Sequence, residues 1–368
     1  MTVESAGPIG AADAREAAVL ERIDAFRRRR PRLTDEVVTL AHGAGGKASA
    51  ALVDAVFLEA FRNESLAPLA DGAVLSLPSG ERLVMSTDSF VVKPLRFPGG
   101  SIGHLAVHGT VNDVAVMGAV PKWLSAAFVI EEGFAVADLR AIAADMAEAA
   151  AAAGVTLVTG DTKVVERGAA EGLYITTAGV GLIPVGRPEP SPVRPGDQII
   201  VSGTIGDHGV AVLLARGDLA LDADVRSDTA SVAGLVARLC DAAPGTRWMR
   251  DATRGGVATV CNELARAAEV GVLLREDTLP VRPAVNAACE LLGIDPLYVA
   301  NEGKIVAAVP RDETQAALAA MRSDDLGSDA AVIGEVVADD PGTVVLETAF
   351  GGVRIVDMLV GDPLPRIC

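Results

Sequence analysis

Aromatic residues are scarce in this chain, 3% of 368, which argues against a base-stacking platform or an aromatic cage as its recognition device. Positive charge is also in deficit. Against 49 Asp and Glu there are 32 Lys and Arg, and the resulting net charge of −17 repels phosphate backbones and anionic lipid. No nucleic acid and no membrane surface is expected as a partner, which leaves small molecules and other proteins. The four cysteines, at 240, 261, 289 and 368, form no close pair and no Cys-x-x-Cys. Neither a disulfide framework nor a zinc knuckle is indicated, and a reducing, cytoplasmic setting fits. No apolar run approaches the roughly 20 residues of a membrane-spanning helix, and a signal-type apolar core is missing from the start of the chain. The basic run Arg27 to Arg30, followed by Pro31, reads as the solvated end of a short helix.

What is present is a globular chain, 50% apolar and 22% charged, long enough for two domains. From about residue 36, short apolar runs alternate with Ala-rich helical patterns, the signature of an α/β (α+β) protein. Val37 to Leu40, Leu83 to Met85, Leu157 to Val158 and Ile175 to Val180 read as strands. Leu139 to Ala153 reads as a helix whose apolar face carries Leu139, Ile142, Ala143 and Met146. The prolines at 184, 188, 190, 192 and 195 fit neither kind of element and mark a boundary. Beyond them come a strand at Gln198 to Ser202, a helix from about Gly209 to Ala215, and a strand at Ile305 to Val309. The expected division is a flexible extension over 1–35, domains over 36–185 and 186–350, and a mobile tail over 351–368.

Several constellations can carry chemistry. Ala41-His42-Gly43-Ala44-Gly45-Gly46-Lys47 lies between a strand pattern and a helix through Leu52, Val56 and Leu58. Glycines admit an anion to backbone amides and Lys47 adds a point charge, although the segment is not a P-loop and such a turn is often only a turn. Ser86-Thr87-Asp88, Asn112-Asp113 and Thr159-Gly160-Asp161-Thr162-Lys163 place carboxylates where strands end or helices are interrupted. Singly, each Asp can cap a turn; together they suit a divalent cation held against phosphates. Arg250-Asp251-Ala252-Thr253-Arg254-Gly255-Gly256 precedes a helix near Val257, and capping by Asp251 or Thr253 explains most of it. In Asn301-Glu302-Gly303-Lys304 the carboxylate is a proton acceptor or merely a turn residue. His104 and His108 sit four apart on a helix without the zinc-protease Glu. Cys240, Cys261 and Cys289 lie in helical apolar patterns and read as core. Cys368 ends an unpatterned segment, Leu364-Pro365-Arg366-Ile367-Cys368, whose thiol cannot be packed. An extended arm of about 15 residues spans on the order of 50 Å.

The order AHGAGGK, STDSF, GTVNDVAVMGA, TGDTKVV, SGTIGDHG, RDATRGG, ANEGK, IGEV and a terminal PRIC resembles the HypE family of hydrogenase maturation proteins, from about Thr39 to Cys368. That family lies within the ATP-binding superfamily of aminoimidazole ribonucleotide synthetase. The reactive Cys or selenocysteine of the related selenophosphate synthetases is absent between 41 and 50. The resemblance implies a two-domain fold whose N-terminal sheet pairs across a homodimer. It implies a carbamoyltransferase maturation protein that loads Cys368, and ATP-driven dehydration of the carbamoyl group to a thiocyanate. An iron-holding scaffold complex of [NiFe] hydrogenase maturation would receive the cyanide. It further implies that Gly43, Gly45, Gly46 and Lys47 cradle phosphate and that Asp88, Asp113 and Asp161 hold Mg²⁺. Asn112 and Thr162 would orient ATP, Lys163 would stabilise developing charge, and Glu302 would accept the proton. Another ATP-dependent kinase or synthetase of the superfamily, or a non-catalytic thiol carrier, are the alternatives.

Overall fold

The computed structural model describes residues 32–217 and 223–361, so Cys368, the end of the tail and nearly all of the 1–35 extension lie outside the described residues. Two sheets organise the rest. The first has the order β1-β2-β7-β5-β6, built from β1 (Ala73–Ser76), β2 (Arg82–Phe90), β5 (Val120–Glu131), β6 (Thr156–Val165) and β7 (Leu173–Leu182). A short hairpin, β3 (Arg96–Phe97) with β4 (Gly100–Ser101), follows β2. The second sheet has the order β14-β13-β10-β12-β8-β11-β9. Its strands are β8 (Gln198–Val201), β9 (Trp248–Asp251), β10 (Gly271–Arg275), β11 (Ile305–Val309), β12 (Ala331–Val337), β13 (Val344–Glu347) and β14 (Val353–Ile355). Residues 183–197, with their prolines, form no helix or strand between the two.

Helix α1 (Lys47–Leu52) continues through a π turn at Val53–Leu58 into Glu59–Phe61. Helix α2 (Ile102–Val116) is buried nearly all round, as its uniform apolarity requires. Ser101 caps it, accepting the Gly103 N–H at 3.2 Å. Strand β7 admits α2 closely because Gly179 and Gly181 lack side chains: a Cβ there would lie 2.7 Å from Thr110 and 2.5 Å from Val114. Helix α3 (Val136–Ala153) packs on α2 and stops at Gly154, whose φ of 68° is the left-handed cap that glycine adopts without strain. The other helices are α4 (Asp207–Ala215), α5 (Ala233–Ala242), α6 (Gly256–Ala268), α7 (Pro283–Leu292) and α8 (Thr314–Arg322).

Three local expectations need correction. Val37 to Leu40 is not a strand. Val37, Val38 and Leu40 are 72–83% exposed with no ladder partner, and the Thr39 N–H donates to His42 Nδ1 at 3.0 Å, turning the chain into a 3₁₀ turn at Leu40–Gly43. The polar runs around Asp88 and Asp161 do not close strands. Both sit mid-ladder, Asp88 opposite Thr177 and Asp161 opposite Ala127, because threonine-rich stretches suit a pleated backbone. On α3, Ala143 is exposed, and the buried stripe runs through Ile142, Met146, Ala149 and Ala150. The strand at Ile305–Val309 lies where the pattern placed it, fully buried.

Candidate active site

Strand β2, helix α2 and strand β9 converge on a polar cavity of about 270 Å³, which Gly45, Asp71, Asp88, Asp113, Arg250 and Asp251 help to line. One carboxylate oxygen each from Asp71, Asp113 and Asp251 lies within 4.8 Å of the others. Asp71 comes from the turn before β1, Asp113 from the buried side of α2, and Asp251 from the end of β9. Ser86 on β2 donates to Asp113 Oδ2 at 2.6 Å, and Arg250 Nε donates to Asp71 Oδ1 at 2.7 Å. Arg250 also pairs with Glu263 at 3.0 Å.

Burial and mutual repulsion push Asp113 and Asp251 well above the usual carboxylate range, and burial raises Asp71 and Asp88 as well. Such a set is starved of positive charge. Converging hard oxygens that outnumber the two guanidinium groups of Arg250 and Arg254 match a divalent cation, and Asp71, Asp113 and Asp251 could hold one, with Asp88 beside them. The Asp251 carboxylate is available because it does not cap α6. Gly255, in the left-handed region at φ 75°, takes the N-cap position instead. A more open cleft of about 520 Å³, lined by Thr204, Arg282 and Arg322, lies apart from these acids. Its arginines are already engaged, Arg282 by Asp207 and Arg322 by the Ala330 carbonyl.

Glu302 is buried at 3% exposure in the bend before β11, and burial, followed by the charges of Asp251 and Asp88, drives its carboxyl well above the usual range. Its backbone is strapped on both sides. The Glu302 N–H donates to Asp228 Oδ1 at 3.0 Å, and its carbonyl accepts from Asn112 Nδ2 at 3.3 Å. Asn112 also donates to the Ala230 carbonyl at 3.0 Å and accepts the Val232 N–H at 2.8 Å. In this structure its amide holds the Glu302 bend. A Cβ on Gly303 would overlap the Asp228 carbonyl oxygen. Gly303→Ala is expected to destabilise the protein by about 1–3 kcal/mol, read as a lower denaturation midpoint with an unchanged slope in urea.

The Gly-Lys loop is divided between two neighbours. Gly45 borders the cavity, with Arg254 donating to the Gly43 carbonyl at 3.0 Å. Lys47 Nζ pairs with Asp357 at 2.5 Å, and the Lys47 N–H donates to the Leu359 carbonyl at 2.7 Å. Gly46 lies so close to Leu359 that a Cβ would overlap its carbonyl oxygen. The Lys47 amide and ammonium thus hold the root of the C-terminal segment, while Gly45 stays at the cavity rim. Asp161, Thr162 and Lys163 are not brought to the cavity within one chain. They lie on β6, the exposed edge of the first sheet, where Lys163 and Asp161 pair at 2.6 Å. Of the expected metal set Asp88, Asp113 and Asp161, one chain brings Asp88 and Asp113 to the cavity, where Asp113 clusters with Asp71 and Asp251. Asp71, in the short turn Leu69-Ala70-Asp71-Gly72, carries no periodic signal in sequence. His104 and His108 bond Ser101 and Thr229, and burial lowers His108 to about 4, so both read as structural groups.

A five-stranded and a seven-stranded sheet meeting at a buried carboxylate cluster define the class. Residues 69–183 match the AIR synthase related protein, N-terminal domain, and residues 194–347 the corresponding C-terminal domain. The chain is 56% identical over 340 residues to carbamoyl dehydratase HypE of Rhodobacter capsulatus, covering 91% of this chain and 99% of the relative. A crystal structure of a HypE–HypF complex superposes with a TM-score of 0.79 at 47% identity, covering 84% of this chain and all of that one. A HypE crystal structure in complex with ATP gives 0.75 at 46% identity, covering 90% and 100%. The chain belongs to the HypE family.

Proposed function

We propose that this protein dehydrates a carbamoyl group carried on the thiol of Cys368 to a thiocyanate at the expense of ATP, supplying cyanide for the iron of a [NiFe] hydrogenase. The observation that carries the reading is the partly buried Asp71–Asp113–Asp251 cluster beside buried Glu302, in a chain this similar to carbamoyl dehydratases. The ATP complex of a relative supports ATP as co-substrate. Mg²⁺ would be held by Asp71, Asp113 and Asp251, where it neutralises phosphate charge.

The amide oxygen attacks the γ-phosphorus and ADP leaves, which turns a poor leaving group into phosphate. Glu302, its carboxyl made more basic by burial, accepts the first N–H proton. As the C–O bond breaks, phosphate departs with its electron pair, the second N–H proton is released and the C≡N bond forms. The backbone straps from Asp228 and Asn112 fix where that carboxylate stands.

The relative's complex with HypF supports a carbamoyltransferase maturation protein as the partner that loads Cys368, and an iron-holding scaffold complex would receive the product. A homodimer through β6 is also proposed. Its ten residues are almost wholly exposed, with Val158 and Val164 58% and 68% exposed, and an open edge of that length invites pairing. Lys163, Asp161 and Thr162 would then act across the subunit boundary. Residues 36–185 form the ATP-binding domain in this reading, and the second domain closes over it; it extends past the expected 350, since Val353–Ile355 is a strand of its sheet and Val356 and Met358 are buried, so the thiol is carried by the residues beyond. No helix among the described residues is long and apolar enough to cross a membrane, and a cytoplasmic location is part of the same proposal.

Intact-mass measurement of the carbamoylated protein with Mg²⁺ and ATP tests this directly. The expected result is loss of the mass of one water from the C-terminal peptide, absent in Cys368→Ser. Retention of the full carbamoyl mass in the wild-type protein would refute the proposal.

A further inference from the structure

Behind Glu302 lies a buried ion pair that the cavity chemistry does not use. Lys304 and Asp228 have side chains only 8% and 5% exposed, and Lys304 Nζ stands 3.3 Å from Asp228 Oδ2. That oxygen has no hydrogen-bond partner, while Asp228 Oδ1 accepts the Glu302 N–H. A buried charge pair without full hydrogen bonding is a weak source of stability, and here the buried Asp207 carboxylate adds a second negative charge near it. Something other than stability has to account for it.

The segment bearing Asp228 has no helix or strand of its own, yet it is fixed to both domains. On one side the Ser227 N–H donates to the Pro98 carbonyl at 2.8 Å, and Thr229 Oγ1 bonds His108 Nδ1 at 3.1 Å. On the other, Ser227 Oγ bonds His208 Nδ1 at 2.8 Å, and Asp228 meets Glu302 and Lys304. Lys304 reaches its partner over Gly203, where a Cβ would lie 2.9 Å from Lys304 Cε. The result is a strap that ties the bend bearing Glu302 to helix α2 and the β3–β4 hairpin, and so to the half of the cavity that supplies Asp88 and Asp113.

We infer that Asp228, held by Lys304, is a positioning residue for Glu302: its carboxylate accepts the Glu302 N–H and fixes the bend at the height the proton transfer requires. This rests on the dehydratase reading, in which Glu302 is the proton acceptor. The useful property of Asp228 is then its acceptor oxygen, and its charge is needed only because Lys304 is there. An Asn paired with an uncharged isostere of Lys304 should serve nearly as well.

The test compares Asp228→Ala with the double variant Asp228→Asn, Lys304→Met in the carbamoylated full-length protein. Single-turnover water loss is followed by mass, and hydrogen exchange is followed in the peptide containing residues 300–304. Asp228→Ala should slow water loss at least ~tenfold at saturating ATP, with the half-saturating ATP concentration unchanged, and should speed exchange in that peptide. The double variant should recover most of both losses. The inference is overturned if Asp228→Ala dehydrates as the wild type does, if the double variant stays as slow as Asp228→Ala, or if exchange around Glu302 is unchanged. Absence of water loss in the wild-type protein would instead overturn the dehydratase reading, and the exchange comparison would still decide whether Asp228 holds the bend.

Discussion

Glu302→Gln is expected to slow water loss from carbamoylated Cys368 by about 10²- to 10⁴-fold, the usual contribution of a positioned general base. Glutamine preserves the shape of the side chain and leaves the backbone straps to Asp228 and Asn112 intact, so ATP binding should change little. What it removes is the ability to take the N–H proton. Because burial and the charges of Asp251 and Asp88 raise the Glu302 carboxyl, the wild-type rate should climb with pH through a titration above the ordinary carboxylate range. The variant should lose that limb. Rapid-quench mass analysis across pH separates the two outcomes, and a wild-type-like rate in the variant would remove Glu302 from the reaction.

Asp113→Asn should produce opposite effects on activity and on stability. Asp71, Asp113 and Asp251 crowd three acids into one buried site, and burial with mutual repulsion lifts Asp113 and Asp251 well above the usual range. With folded-state values raised, the metal-free folded protein holds protons that the unfolded chain releases. Its stability is therefore full below the ordinary carboxylate value and falls as pH rises toward the raised values. Replacing one acid relieves that penalty, so the variant should melt several degrees higher than wild type in EDTA at neutral pH. Mg²⁺, which should stabilise the wild-type protein, should do so little in the variant. ATP-dependent water loss should drop by at least ~100-fold. Melting curves with EDTA and with Mg²⁺ check both signs, and a variant that melts lower in EDTA and still responds to Mg²⁺ would contradict the site.

The parts of this molecule that could be read from sequence are those fixed by local pattern. The fully apolar run Ile305–Val309 is a buried strand, the Ala-rich run Leu139 to Ala153 is helical, and the proline-rich segment stands between two sheets. Chemistry-bearing residues within one motif were also legible: Asp88, Asp113 and Glu302 lie in or beside the site. The carboxylate cluster was not, because Asp71, Asp113 and Asp251 come from three separate segments and only tertiary packing joins them. Asp251 was misread as a helix cap because nothing local says that Gly255 takes that position. The pairing of Lys47 with Asp357 was not legible either, because the two are 310 residues apart. Val37 to Leu40 failed as a strand for a related reason, since extended pairing needs a neighbour that one chain does not supply there.

The decisive step is departure of the carbamoyl oxygen as phosphate, and isotope transfer tests it most directly. Cys368 is loaded with a carbamoyl group whose oxygen is ¹⁸O, the protein is given Mg²⁺ and unlabelled ATP for one turnover, and the released inorganic phosphate is weighed. One labelled oxygen per phosphate, in step with the appearance of thiocyanate, is the predicted result. Unlabelled phosphate formed alongside thiocyanate would contradict it.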